Sequence, residues 1–339
     1  MRKLAVPVLC GALALVDGCG LVPRQADAPA AVVRGPIPSR SLEPAKLTYL
    51  AFRPRRAATL PEGETQVTVL SAYSNIFESA EDGLDSVDFD GEIWRTSVAL
   101  RRALAPRVDV EIELPVVYAT SGFLDLIVED FHDFFGFPNG GRSDKPRFAY
   151  DMVAVNDGTE AYRMEGNEVG IGDVPIILTA AIQEESATAP AVAVRAGLEL
   201  PTGSESSGFG NGGVDFGAGI LAERSWGRWT ATGAIDWVDA QSSSSFESAG
   251  VAAQDGFDAQ IGGEYRWNDD LSLLLGSVYS PAATEDIPLE EISGPLLSLD
   301  VGAAWDLAPR SRLLFVFSED LITESAPDFT VTAGWIVSW

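Results

Sequence analysis

Val108-Asp109-Val110-Glu111-Ile112-Glu113-Leu114 alternates apolar and acidic side chains without a break. A helix would scatter these acids around its circumference. A strand places Asp109, Glu111 and Glu113 on one face and the apolar residues on the other. The same period returns downstream, where Leu297, Leu299, Val301, Ala303, Trp305 and Leu307 alternate with Ser298, Asp300, Gly302, Ala304 and Asp306. It returns again where Phe257, Ala259, Ile261, Tyr265 and Trp267 alternate with Asp258, Gln260, Glu264 and Arg266.

Extended outward from this stretch, the period predicts about twelve strands, near 64–77, 86–102, 107–118, 168–183, 189–201, 212–224, 227–239, 254–267, 270–281, 294–307, 311–319 and 328–339. Most reach the roughly 9–11 residues that a tilted strand needs to cross a bilayer. The connections after even-numbered strands are short and include Ala105-Pro106, Ser225-Trp226, Asn268-Asp269 and Ala308-Pro309. Those after odd-numbered strands are longer, polar and acidic. Short turns on one side and long loops on the other mark a transmembrane antiparallel up-and-down β-barrel of the bacterial outer membrane. Trp226, Trp229, Trp267, Trp305 and Trp339 gather at the short-turn ends, and Tyr118, Trp237 and Tyr279 near the opposite ends. Two such girdles fit two lipid–water interfaces. The final strand carries Phe329, Val331, Ala333, Trp335, Val337 and Trp339 on one face and stops on an aromatic residue. Outer-membrane barrels end this way, and the barrel-assembly machinery is the partner expected to read that end.

If the apolar face meets lipid, the other face lines the interior. The parity cannot be reversed, because a basic side chain facing mid-bilayer lipid costs roughly 2–4 kcal/mol. The lumen is then lined by Arg95, Arg101, Asp109, Glu111, Glu113 and Asp173 from the first half of the barrel. Arg195, Glu199, Asp215, Glu223, Asp236, Asp258, Glu264, Arg266, Asp300 and Asp306 line it from the second. Acids outnumber arginines. Two outcomes follow: a water-filled pore that favours cations or polar solutes, or a lumen held shut by acid–arginine pairs. Gly197, Gly217, Gly219, Gly262, Gly276 and Gly302 share this face and relieve crowding in a narrow barrel.

The longest connection, 119–167, changes period. Phe123, Ile127, Phe131 and Phe134 recur at helical spacing, and Gly136 and Pro138 stop the helix. The predicted helical insertion has three possible positions: plug, cap or membrane-surface element. Residues 148–164 around Asn156-Asp157-Gly158 read as a hairpin. His132 lies within the predicted helix and is the chain's one histidine. With no serine or orienting partner in a recognisable pattern, it is expected to bond an acid or sit at an interface. An outer-membrane enzyme is the remote alternative.

Met1-Arg2-Lys3, followed by apolar Leu4 to Val16, reads as an export signal over 1–18, too short to span a membrane. Cys19 is then a candidate acylation site and first mature residue, with ordinary cleavage near Ala28 or Ala30 as the alternative. Residues 19–63 are rich in Ala, Pro and Arg and read as a periplasmic tether, with 64–339 as the barrel. Leu47 to Phe52 is the one stretch of it that could dock in the barrel mouth.

Composition narrows the remaining classes. The net charge of −27, from 50 acidic and 23 basic residues, speaks against nucleic acid as a partner. Cys10 and Cys19 are the only cysteines, so a disulfide framework in the barrel is excluded. No cofactor and no metal site is expected.

Several blocks carry a resemblance. They are Gly35-Pro36-Ile37-Pro38, Leu60-Pro61-Glu62-Gly63, Ser74 to Glu78, Asp90-Gly91-Glu92, Glu113-Leu114-Pro115 and Gly122 to Asp125. Phe131 to Gly136, Gly170 to Asp173, Glu199 to Gly203, Glu319-Asp320 and Ala326 to Phe329 continue the series. From about residue 35 onward the chain resembles domain-of-unknown-function family 3187, bacterial proteins predicted to be outer-membrane barrels. Ser39-Arg40-Ser41-Leu42 departs from the family pattern. The resemblance implies the barrel fold and transfers no catalytic residue. Three functions stand side by side: a channel or uptake pore for small cationic or polar solutes, a structural or assembly barrel with a sealed lumen, and the enzyme.

Overall fold

The structure, a computed structural model, describes residues 32–126, 128–130, 145–322, 327 and 329–339. Their strands are β1 (Thr65–Asp82), β2 (Asp85–Ala105), β3 (Val108–Thr120), β4 (Asp151–Asn156), β5 (Thr159–Arg163), β6 (Glu168–Ile171), β7 (Val174–Gln183) and β8 (Ala191–Leu200). Then follow β9 (Asp215–Trp226), β10 (Trp229–Asp239), β11 (Gly256–Arg266), β12 (Leu271–Ser280), β13 (Leu296–Ala308), β14 (Ser311–Asp320) and β15 (Phe329–Ser338). Neighbours pair antiparallel in chain order, and β15 returns to β1, from Gln66↔Ser338 to Asn75↔Phe329. The result is a closed barrel with twelve staves; β6 and β7 together make one stave, and β4 and β5 stand outside the ring.

The predicted parity holds in the wall. Ile112, Leu114, Ile261, Val301, Trp335 and the girdle tryptophans are exposed on the outer surface, while Asp109, Glu113, Gln260, Glu264 and Asp300 are buried. An isolated soluble domain would not bare such a continuous apolar belt; a bilayer covers it.

Most strand ends fall within three residues of the sequence reading; four differences have an identifiable cause. Residues 78–85, expected as a loop, continue the β1–β2 ladder to Asp82↔Asp85. Their acids suggested a loop, but Val87 and Phe89 on the alternate face are buried beneath β4 and β5. The turn expected at Ser225-Trp226 lies two residues later, where Gly227 takes φ +58°; a shift of two keeps every side chain on its face. The strand expected over 168–183 breaks between β6 and β7. Opposite the break, Pro115 has no N–H for the ladder, and its carbonyl accepts from Gly172 N at 3.1 Å.

The fourth difference is the largest. Residues 32–60, expected as part of a tether in which only Leu47 to Phe52 could dock in the barrel mouth, run through its lumen. Ile37, Leu42, Leu47, Tyr49, Leu50, Phe52, Ala57 and Leu60 are all buried there. Apart from one 3-10 turn, Lys46–Thr48, the segment has no regular structure. Pro36, Pro38, Pro44 and Pro54 keep it from joining the sheet as another strand. The absence of periodicity was therefore real, but contact with the wall replaces it.

At the long-loop end, β4–β5 closes as the predicted hairpin, with Asp157 at φ +47° and Gly158 at φ +73°. It packs with Phe209, Phe246, Val251, Ile287 and Ile292 from the other loops over Leu42, Leu47 and Tyr49 of the inner segment. Tyr162 Oη donates to the Pro44 carbonyl at 2.9 Å. This apolar core lies at that end of the barrel.

Candidate functional site

The lumen walls present carboxylates in register, and the inner segment answers them with cations and backbone N–H groups. Arg34 N and Gly35 N both donate to Glu264 at 2.8 Å, and Ser272 Oγ donates to the same carboxylate at 2.6 Å. Arg34 Nε reaches Asp306 at 2.7 Å, which Arg312 also holds at 2.6 Å. Ser39 Oγ donates to Asp300 at 2.7 Å, and Leu50 N donates to Asp215 at 2.9 Å. Arg53 pairs with Glu113 at 2.8 Å, Arg55 with Glu111, and Arg56 with Glu223 at 2.7 Å. Leu60 N donates to Asp109 at 3.0 Å.

Wall arginines pair within the wall. Arg95 meets Glu113 at 2.6 Å, Arg101 meets Asp109 at 2.6 Å, and Arg195 grips Asp236 through two 2.6 Å bonds. Arg195 also donates to the Arg53 carbonyl at 2.7 Å and lies 4.8 Å above the Phe52 ring. That ring fills space left by wall glycines: a Cβ on Gly197 or Gly217 would come within 2.9 or 2.5 Å of it. These glycines thus make room for a filling segment as well as for neighbouring side chains.

Two charged groups of the segment sit deep. Burial pushes the Glu43 carboxyl up to about 7, even though it accepts from the backbone N–H groups of Ala45 and Lys46. Burial likewise lowers the Lys46 ammonium to about 8, while its Nζ donates to the Ala282 carbonyl at 2.8 Å.

Of the residues predicted to line the lumen, Glu199 and Asp258 are also buried inside the barrel. Asp173 instead staples a loop: it accepts from Gly203 N at 2.7 Å and Asn211 N at 3.1 Å, closing the wall beside the β6–β7 break. Arg266 sits at the short-turn rim, donating to the Gly227 carbonyl at 3.0 Å. In the long connection, residues 125, 126 and 128–130 are helical. Phe123 is exposed against the Tyr73 ring on the barrel's outer side, so this part of the insertion does not fill the pore. Ile127, Phe131, His132, Phe134 and Cys19 lie outside the described residues.

Sequence reasoning missed the arginines of 34–56. A signal existed: residues 32–60 hold Arg34, Arg40, Lys46, Arg53, Arg55 and Arg56 against the single Glu43, in a chain of net charge −27. A basic island of that kind needs a complementary acidic surface, and the lumen supplies it.

With the geometry in hand, comparison with known proteins adds the family. The profile described as protein of unknown function (DUF3187) matches residues 14–339. The chain belongs to this family. No curated protein matches the sequence. Among solved structures, the COG4313 outer membrane channel from Pseudomonas putida F1 aligns at TM-score 0.55 and 15% identity, covering 85% of this chain and 100% of that one. The KdgM porin in complex with disordered oligogalacturonate aligns at TM-score 0.43 and 6% identity, over 81% and 99% of the two chains. The P. putida toluene transporter TodX aligns at TM-score 0.34 and 12% identity, over 88% and 92%. The first of these likenesses shows the outer-membrane barrel fold for this DUF3187 member.

Proposed function

We propose that this DUF3187 protein is an outer-membrane channel for small cationic or polar solutes, closed in the present conformation by its own residues 32–60. One observation carries the reading. Among the described residues, no sheet pairing includes 32–60; the segment is held by side-chain bonds and packing, so it can leave without opening the barrel's hydrogen-bond ladder. Its departure would uncover a wall rich in carboxylates, which attracts cations. The deciding experiment compares planar-bilayer conductance of the mature chain with that of a chain lacking 32–60. The expectation is a mostly closed full-length protein and a steady, cation-selective truncated one. A truncated barrel that folds, judged by heat-modifiable mobility, yet carries no current would refute the channel.

That same failure would favour a second reading, a structural or assembly barrel with a sealed lumen. Its support is the apolar core at the long-loop end, to which several loops contribute besides Leu42, Leu47 and Tyr49.

Export and membrane assembly belong to the proposal. Residues 1–18 serve as the signal, and the barrel-assembly machinery reads the strand ending at Trp339. The inner segment leaves the lumen by the short-turn mouth, where the Val33 and Arg34 carbonyls accept from Arg312. Twelve residues lie between Cys19 and Val32, and the thirteen extended steps they span reach roughly 40 Å. An acyl group on Cys19 would thus reach the inner leaflet without pulling the segment from the lumen.

A further inference from the structure

The closed barrel keeps a cavity of about 450 Å³ at its short-turn mouth, between residues 33–61 and the wall. It is lined by the first residues of β1, the last of β15 and the β13–β14 turn, and it reaches inward to Arg40 and Arg195. The volume falls in the roughly 300–1,000 Å³ range of small-molecule sites. Its lining contrasts with the acid-rich wall: nine arginines face four carboxylates. Asp109, Glu223 and Asp236 pair with some of those arginines from behind. Even so, the cations stay in excess, and Arg95 draws on Glu113 as well.

Two lining arginines hold donors that no group among the described residues accepts. Arg40 gives Nη2 to the carbonyls of Leu47 and Tyr49, at 3.0 and 2.8 Å, but its Nε is buried without a partner. Arg101 gives Nη2 to Asp109 and the Ala58 carbonyl, and its Nε is likewise buried and unpartnered. Buried charged N–H groups are costly to leave unsatisfied. Burial, and after it the neighbouring Arg95 charge, lowers the Arg40 guanidinium to about 10. Arg310 adds an exposed guanidinium at the rim of the same cavity.

We propose that this mouth binds a small oxyanion carrying two or more negative charges. The anion would sit between the inner segment and the β1–β15 side of the wall, held by the excess guanidinium charge of the lining, with Arg40 at its inner end and Arg310 at the rim. Planar guanidinium donors suit phosphate and carboxylate oxygens, which accept two parallel bonds. The site exists only while 32–60 occupies the lumen, because that segment supplies Arg40. It does not depend on whether the barrel conducts.

The test is calorimetric titration of the detergent-solubilised full chain with inorganic pyrophosphate, and with chloride as the monovalent control. Saturable binding of pyrophosphate is expected, weakened about tenfold by Arg40→Gln and about threefold by Arg310→Gln. Affinity should also fall as salt rises from about 50 to about 200 mM. Arg310 lies in an exposed turn, so its variant tests the site without touching the fold. No saturable binding by the wild type overturns the proposal, as does an affinity that neither variant changes.

Discussion

Glu264 offers the sharpest measure of how firmly the lumen is filled. Its carboxylate holds two consecutive backbone N–H groups, Arg34 and Gly35, each at 2.8 Å. Glu264→Ala strands both donors beside Leu274 and the rest of the wall. A hydrogen bond to a charged group contributes about 1.5–3 kcal/mol. Arg34 lines the mouth cavity, so water re-solvates part of the loss, and a total of roughly 2–4 kcal/mol remains. At 1.36 kcal/mol per tenfold change, the population with a displaced segment should rise about 30- to 1,000-fold. Ile37→Cys reports it, since Ile37 is buried against Leu70, Leu314 and Val316. Alkylation of the introduced thiol by a bulky maleimide tracks the opening equilibrium when closing outpaces labelling. The comparison is Ile37→Cys alone against Ile37→Cys with Glu264→Ala. Glu264→Ala without the new thiol corrects for Cys10 and Cys19, wherever the mature chain retains them. Unchanged heat-modifiable mobility would confine the effect to the segment. An unchanged labelling rate would mean that Glu264 does not hold the segment in place.

Two further outcomes test the faces and the buried charge. Ile261 is 68% exposed on the outer wall and Gln260, next to it, is 2% exposed. Ile261→Arg should therefore lower the barrel's unfolding free energy in vesicles by about 2–4 kcal/mol in a urea titration, and an unaltered titration would place that face away from lipid. Glu43 is raised by burial to about 7 from an ordinary 4.5, so the folded protein binds the extra proton between those values. Its contribution is intact below about pH 4.5 and is lost as pH rises through about 7. Thermal melts of wild type and Glu43→Gln should thus diverge over that window, with the variant gaining relative stability at higher pH; parallel curves would argue against a buried, ionising Glu43.

The wall was legible because a two-residue period is a local property: each of Val108, Val110 and Ile112 reports its own face without knowing its partner strand. Even where boundaries slipped, as at Gly227, parity survived. The break at Gly172-Asp173 was harder to see, since it depends on Pro115 in another strand and on the loop 203–211 bonded to Asp173. Residues 32–60 were opaque for a stronger version of the same reason. Local bonds fix only 40–49, through Arg40 and Glu43; elsewhere the segment is set by wall groups distant in sequence, as Leu60 is by Asp109, 49 residues on, and Arg34 by Glu264, 230 residues on.

The charge of the lumen shows what such a split conceals. Read from the strands alone, the interior is acidic and favours cations. Read from 32–60 alone, the same space holds six basic residues and one acid. The two excesses meet inside one barrel and largely cancel, because neither set of charges could be buried without the other. What survives the cancellation lies at the short-turn mouth and is positive, since Arg53, Arg55 and Arg56 are paired there while Arg40 and Arg310 add guanidinium charge to the same cavity. The filled barrel therefore presents one sign at its short-turn mouth and would present the opposite sign along an emptied pore. Selectivity measured on the truncated barrel and anion binding measured on the intact one are consequently compatible results, and only their pairing tests the charge distribution as a whole.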